Sequence, residues 1–165
     1  MNVKTSKLKE QFDAIYSRDG AGLMRVAQLY GRQDPQDLYQ DIALAIWIAL
    51  KRFRGDSSLR TFAYRIAHNR GISYRARVTH DPLEDEPVAA ELVENNVTTE
   101  KRKAQLLGAM RLLPEQARQV IALTLEGLTY AEIAEIVGTT ENNVGVIINR
   151  GKKRLKALIS EVENV

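Results

Sequence analysis

No cysteine occurs among the 165 residues, which excludes a disulfide framework, thiolate metal sites and cysteine nucleophiles, and fits a reducing cytoplasm. Histidine is almost as scarce, and His68 has no second His or ligand pair beside it in sequence, so no metal site is expected. No stretch alternates apolar and polar residues between hairpin turns, which argues against strands. The longest apolar run, IALAIWIAL at 42–50, has nine residues, far short of the roughly 20 that span a bilayer. The opening MNVKTSKLKEQ lacks an apolar core, so neither a signal peptide nor membrane insertion is expected. Paired carboxylates in a metal arrangement and a nucleophile with a base partner are also missing, so no residue is assigned as catalytic and no cofactor is implied. The expectation is a soluble cytoplasmic chain, one ordinary domain or two small ones, whose 44% apolar content suffices for folded cores.

Charge is what the chain distributes unevenly. The total is only +3, yet residues 51–77 hold eight Lys or Arg against Asp56 alone. Residues 81–96 then carry Asp81, Glu84, Asp85, Glu86, Glu91 and Glu94 with no cation, and Arg150, Lys152, Lys153, Arg154 and Lys156 follow near the end. Two basic surfaces joined by an acidic tether suit a nucleic-acid-binding protein. Within the first, residues 53–70 interleave Arg54, Arg60, Arg65, Arg70 and His68 with Phe53, Phe62 and Tyr64. Cations track phosphates and aromatic faces accept unstacked bases, so such a segment suits an opened strand. A solvated amphipathic helix explains the same pattern taken alone.

Periodicity is helical throughout, so the fold class expected is all-α, with two small helical domains joined by an acidic linker. Two helices are expected before residue 33, one through Leu8, Phe12, Ile15 and Tyr16, broken at Gly20 and Gly22, and one through Leu23, Val26, Ala27 and Tyr30. Asp34 can cap a third, with Pro35 in its first turn, running to about Phe53. Its nine-residue apolar run points side chains all around the axis, so it is either enclosed or presents one side to a partner. Gly55 pivots the next loop, and Ser57 or Ser58 can cap a helix with Leu59, Phe62, Ala63, Ile66 and Ala67 inward and Arg60, Thr61, Tyr64, Arg65, His68 and Asn69 outward. Pro82, Pro87 and the acidic run mark residues 80–103 as a linker whose later part can be helical.

The C-terminal part obeys helix-turn-helix grammar. Thr129 and Glu132 form a capping box for a short helix, Gly138 permits a tight turn, and Thr140 caps a second helix whose core side uses Val144, Ile147, Ile148, Gly151 and Leu155. The second helix of such a motif enters the major groove, bringing Thr140, Glu141, Asn142, Gly145, Val146 and Asn149 toward base edges, with Arg150, Lys152, Lys153 and Lys156 on phosphates.

With both parts in view, the chain resembles the extracytoplasmic-function (ECF) sigma factors, promoter-recognition subunits of bacterial RNA polymerase. DLYQDIALAIW at 37–47 is similar to the family's polymerase-binding helix, FRGDSSLRTFAYRIAHNR at 53–70 to its promoter-melting and minus-ten segment, and residues 113–155 to its minus-thirty-five domain. The resemblance implies a region 2-like domain over 1–79, an acidic linker over 80–103 and a region 4-like domain over 104–165. It implies that Asp37, Gln40, Asp41, Leu44 and Trp47 contact the polymerase clamp helices, with the flap as a further contact of the enzyme. It places Phe53, Arg54, Gly55, Asp56, Ser57, Ser58, Arg60, Tyr64, Arg65, His68 and Asn69 on the opened promoter strand, and the recognition-helix residues on double-stranded promoter DNA. It also implies an anti-sigma factor as partner. Three departures stand out: Phe62-Ala63 replaces the usual Trp-Leu, Gly145-Val146-Ile147 replaces basic or hydroxyl residues, and Gly151 replaces alanine at a cost of up to about 1 kcal/mol of helix stability. An operator-binding regulator independent of polymerase is the alternative, and a helical enzyme acting on nucleic acid a third, against which Asp34, Asp37 and Asp41 are explained by capping and a helix rim.

Overall fold

A computed structural model describes residues 2–78 and 97–164. Among the described residues there are seven helices and no strand: α1 (Val3–Tyr30), α2 (Pro35–Leu50), α3 (Leu59–Val78), α4 (Val97–Arg111), α5 (Glu115–Leu125), α6 (Tyr130–Val137) and α7 (Glu141–Glu163). The acidic run and both of its prolines lie outside the described residues. The end of the expected linker is helical, since α4 begins at Val97.

The first three helices pack on one another. One apolar stripe runs down α1 through Ile15, Leu23, Val26, Ala27 and Tyr30, and meets Leu38, Ile42, Ile46 and Leu50 of α2 and Ala63 and Ala67 of α3. The expected break at Gly20 and Gly22 does not occur: α1 is continuous for 28 residues. Neither glycine has a positive φ, so neither supplies a turn. Gly22 instead makes room, because a Cβ there would lie 2.0 Å from the Tyr64 hydroxyl and 2.7 Å from the Glu126 carboxylate.

Asp34 caps α2 by accepting from the Asp37 amide at 2.9 Å, with Pro35 in the first turn. The helix proper ends at Leu50, and bonds from Lys51, Arg52 and Phe53 to Ile48, Ala49 and Leu50 tighten the chain as far as Phe53. Gly55 then adopts φ 82°, and of the two serines it is Ser58 whose Oγ accepts from the Thr61 amide at 3.1 Å to start α3.

The last four helices bury Met110, Leu113, Val120, Ile121, Leu123, Ile133, Val144, Ile148 and Leu155, in one core cluster with the buried side chains of the first three. Buried Arg118 closes the end of α4, its guanidinium donating to the carbonyls of Met110, Arg111 and Leu113, so the orphan acceptors of a helix C-terminus are met by a cation. The helix-turn-helix is formed as its caps require. The Glu132 amide donates to Thr129 Oγ1 at 3.2 Å while the Thr129 amide donates to Glu132 Oε2 at 2.7 Å. Gly138 ends α6 at φ 78°, and Thr140 accepts from the Asn143 amide at 3.1 Å to open α7. Gly151 is buried with its missing Cβ 3.0 Å from Ile121, so the residue that costs helix propensity lets α5 and α7 close together.

Candidate nucleic-acid and partner interfaces

The solvent side of α2 carries one continuous stripe. Asp37 and Gln40 are exposed, Asp41 is half-buried, and Leu44 and Ile48 remain 58% and 53% exposed. The nine-residue apolar run is therefore half enclosed and half presented: Ile42, Ala45, Ile46 and Leu50 are core. Trp47 sits at the margin, half-buried and edge-on to Phe12 with centroids 5.3 Å apart. Two large aliphatic side chains in water beside a carboxylate rim are an unpartnered surface. Ile48 belongs to it as fully as Leu44, and the spacing of four within the apolar run was the signal for it.

Beyond this stripe an open cleft of about 820 Å³ lies between α2 and α3. Ala45, Ile48, Phe62 and Ile66 form its apolar lining, Lys51, Arg52 and Arg70 its cationic rim, and exposed Asn69 adds an amide. Arg70 also reaches Asp41 at 3.8 Å, beyond hydrogen-bond range. Phe53 packs on Phe62 with centroids 4.7 Å apart and closes the base of the loop, leaving Arg54, Gly55, Asp56 and Ser58 exposed and Ser57 half-buried.

The facing of α3 differs from expectation. Thr61, Tyr64 and His68 are buried, not outward, and Leu59, Phe62 and Ile66, expected in the core, are only half-buried. Two causes act together. Ala63, Ala67 and Gly71 let α3 approach α1 so closely that a Cβ on Gly71 would lie 2.4 Å from the Tyr30 ring. The far side of α3 is then covered by α6 and the turn before it. His68 is fully enclosed, its Nδ1 2.9 Å from the Tyr30 hydroxyl and its Nε2 without a hydrogen-bond partner, and burial pushes its pKa down to about 3. Burial likewise pushes the Tyr64 hydroxyl well above its usual range.

Arg60 and Arg65 are committed as well. Arg60 Nε donates to buried Asp19 at 3.0 Å and its Nη2 to the Glu126 carbonyl, while Arg65 Nη2 reaches the carbonyl and carboxylate of Glu135 at 3.3 and 3.5 Å. The role of Asp19 was not anticipated, although an acid inside the apolar stripe of α1 was its visible signal. Of the proposed strand-contacting residues, the structure leaves the loop and Asn69 open, holds Arg60 and Arg65 in ion pairs, and encloses Tyr64 and His68.

On α7 the exposed face is unencumbered. Thr140, Glu141, Asn142, Asn149, Arg150, Lys152 and Lys153 are exposed, and Val146 is 37% exposed. Gly145 is half-buried, 3.5 Å from the Tyr130 ring where its Cβ would stand. Exposed Asn143 joins this end of the helix, its amide donating to Thr139 Oγ1 at 2.8 Å. Among the described residues no cluster of His, Asp or Glu is placed to hold a metal ion, and no helix is long and apolar enough to cross a membrane.

A capped helix-turn-helix with a basic second helix, beside a helical unit bearing a basic, aromatic-lined cleft, defines a DNA-binding transcription protein with two separate contact surfaces. In comparison with known families, residues 15–80 match sigma-70 region 2 and residues 103–155 match sigma-70 region 4. The chain is 30% identical over 154 residues to the ECF RNA polymerase sigma factor SigM of Mycobacterium tuberculosis, covering 90% of this chain and 76% of SigM. It is 31% identical over 143 residues to the ECF RNA polymerase sigma-E factor of Escherichia coli, covering 73% and 75%. The structure of CnrH in complex with the cytosolic domain of CnrY superposes with a TM-score of 0.68 at 26% identity, over 91% of this chain and 88% of CnrH. The sigma factor RpoE of Bartonella quintana, solved with the anti-sigma factor NepR, shares the fold with a TM-score of 0.66 at 20% identity, over 94% and 96%. The chain belongs to the ECF family of RNA polymerase sigma factors.

Proposed function

We propose that the chain docks on core RNA polymerase through the α2 stripe of Asp37, Gln40, Asp41, Leu44 and Ile48, with Trp47 at its edge, and directs the enzyme to promoters. The cleft and the loop at 53–58, with Asn69, then hold a base lifted from the opened non-template strand, where apolar walls and a cationic rim offset a few kcal/mol of unstacking. The α7 face reads the upstream duplex, with Arg150, Lys152 and Lys153 on phosphates. The sigma factor catalyses no reaction itself; it positions and opens DNA for the polymerase in the cytoplasm.

The observation that carries this reading is the adjacency on α2 of an exposed aliphatic stripe and a basic cleft sharing Ile48. A partner on the stripe lies beside the strand in the cleft. An operator-binding regulator has no use for either feature. The chain is also proposed to be held in reserve by an inhibitor, as CnrH is found with the cytosolic domain of CnrY. An open groove of about 840 Å³ between α1 and α4–α5, lined by Met24, Leu106, Leu107, Met110 and Leu125, supports the docking of an apolar helix. Adding the purified chain to sigma-free core polymerase on a promoter library tests the function: sequence-dependent initiation is expected, and none above core alone overturns the reading.

A further inference from the structure

The exposed face of α7 carries an apolar patch where its charge begins to fail. Residues spaced by three and four share one face of a helix, and the set at 142, 145, 146 and 149 reads Asn, Gly, Val, Asn. Every cation of α7 lies at Arg150 or beyond. Asn143 spends its amide on Thr139 Oγ1 at 2.8 Å, whereas Asn142 and Asn149 are exposed. Between these two the surface is apolar. Val146 is 37% exposed, and Tyr130, the first residue of α6, is 47% exposed. The Tyr130 ring reaches across from its own helix to Gly145, its Cε2 3.5 Å from where a Cβ would stand. Glycine at 145 therefore leaves a shallow notch, floored by backbone, with an aromatic ring over it and the Val146 isopropyl group next to it in the chain.

In the major groove the apolar group that a base pair presents is the thymine C5 methyl, while adenine offers N7 and its N6 amino group, which an Asn amide meets with two bonds. Guanine is read by Arg or Lys, and neither stands among these four residues. We propose that Tyr130 and Val146 form a thymine-methyl subsite over Gly145, with Asn142 and Asn149 reading adenine on either side, so that the upstream element is specified through A·T pairs. Tyr130 thereby becomes a base-reading residue supplied by the first helix of the motif. The occupant is duplex DNA and not an apolar peptide, because exposed Arg150, Lys152 and Lys153 border the same face, and cations flank a groove-bound helix where the phosphates run. The inference rests on the proposed placing of α7 on the upstream duplex.

The test selects from duplexes randomised upstream of a fixed start region, using the full chain with core polymerase. Binding is then measured on the selected duplex with each thymine replaced in turn by deoxyuridine, which deletes one methyl group and leaves the groove's hydrogen-bonding pattern in place. Selected elements are expected to consist of A·T pairs, and at one thymine the deoxyuridine duplex should bind about fourfold more weakly, the worth of one buried methyl group. Val146→Ala and Tyr130→Ala should each lower that ratio below about twofold, whereas Tyr130→Phe keeps the ring and with it the ratio. A lost phosphate contact or a partly unfolded variant weakens both duplexes alike, so the ratio isolates the subsite. Equal binding of the two duplexes by the wild type, an unchanged ratio in either alanine variant, or selection of G·C pairs with Glu141 reading cytosine overturns the proposal. No enrichment above core alone overturns the functional reading and the subsite with it, whereas enrichment without methyl discrimination overturns the subsite alone.

Discussion

At the scale of the residue, buried polar groups decide most. Burial lowers the His68 pKa to about 3 from a usual value near 6.5. The unfolded chain therefore takes up a proton between those values that the folded chain refuses. His68 thus leaves stability at its full value above about pH 6.5 and erodes it as pH falls toward 3, by up to about 1.4 kcal/mol per unit. Urea midpoints between pH 7 and 5 should fall in the wild type and much less in His68→Gln, and parallel profiles would contradict this. Asp19 and Arg60 make the second case. Asp19 is 5% exposed and Arg60 is its ion-pair partner, so Arg60→Ala strands a buried carboxylate and should cost about 3 kcal/mol by chemical denaturation. Adding Asp19→Asn to Arg60→Ala should recover a large part of that loss. A cost below about 1 kcal/mol would show Arg60 to be an exposed side chain available to DNA at all times.

At the scale of the element, legibility followed the range of the interactions. The helix-turn-helix was readable because its determinants are local: Thr129 to Glu132, Thr140 to Asn143 and the left-handed Gly138 each act within three residues. The facing of α3 was not, because its second packing partner is the turn at Glu126, more than sixty positions away, and no helical period within 59–78 contains that information. The glycines of α1 misled for the same reason: Gly22 serves a contact with Tyr64 and Glu126, which sequence proximity cannot reveal. The α2 run stated that one side lacked a cover without stating which. Two substitutions separate these kinds of position. Gly138→Ala places a Cβ at φ 78° and should destabilise the C-terminal helices by about 1 kcal/mol, weakening duplex binding as the melting temperature falls. Leu44→Ser with Ile48→Ser, both in solvent, should change stability by less than about 0.5 kcal/mol each and yet abolish co-sedimentation with core polymerase. Retained co-sedimentation would remove the stripe from the polymerase interface.

At the scale of the whole molecule, the two helical units touch through contacts of different electrical character. On one side, Arg25 with Glu126 and Arg65 with Glu135 are ion pairs between partly exposed groups. On the other, arginines cap helix ends reciprocally: Arg111 of α4 donates to the Gln28 and Leu29 carbonyls at the end of α1, and Arg75 of α3 donates to the Arg111 carbonyl at the end of α4. Burial and the nearby Arg32 and Arg75 lower the Arg111 pKa, as expected of a cation held by carbonyl dipoles with like charges around it. Salt screens the first contact more than the second, because partly exposed charges see the ionic atmosphere while a desolvated guanidinium against carbonyls sees less of it. Raising ionic strength from about 0.1 M to about 1 M shortens the screening length from roughly 10 Å to roughly 3 Å and should open the Glu126 side while the Arg111 side holds, a hinge and not a dissociation. Spin labels at Ser17 of α1 and Ala131 of α6, both exposed, should report a longer and broader distance distribution in high salt with helix content by circular dichroism unchanged. In Arg25→Ala the long distances should already be present at low salt and respond little to more. A wild-type distribution indifferent to salt would mean that packing of α3 on α6, not charge, holds the closed form.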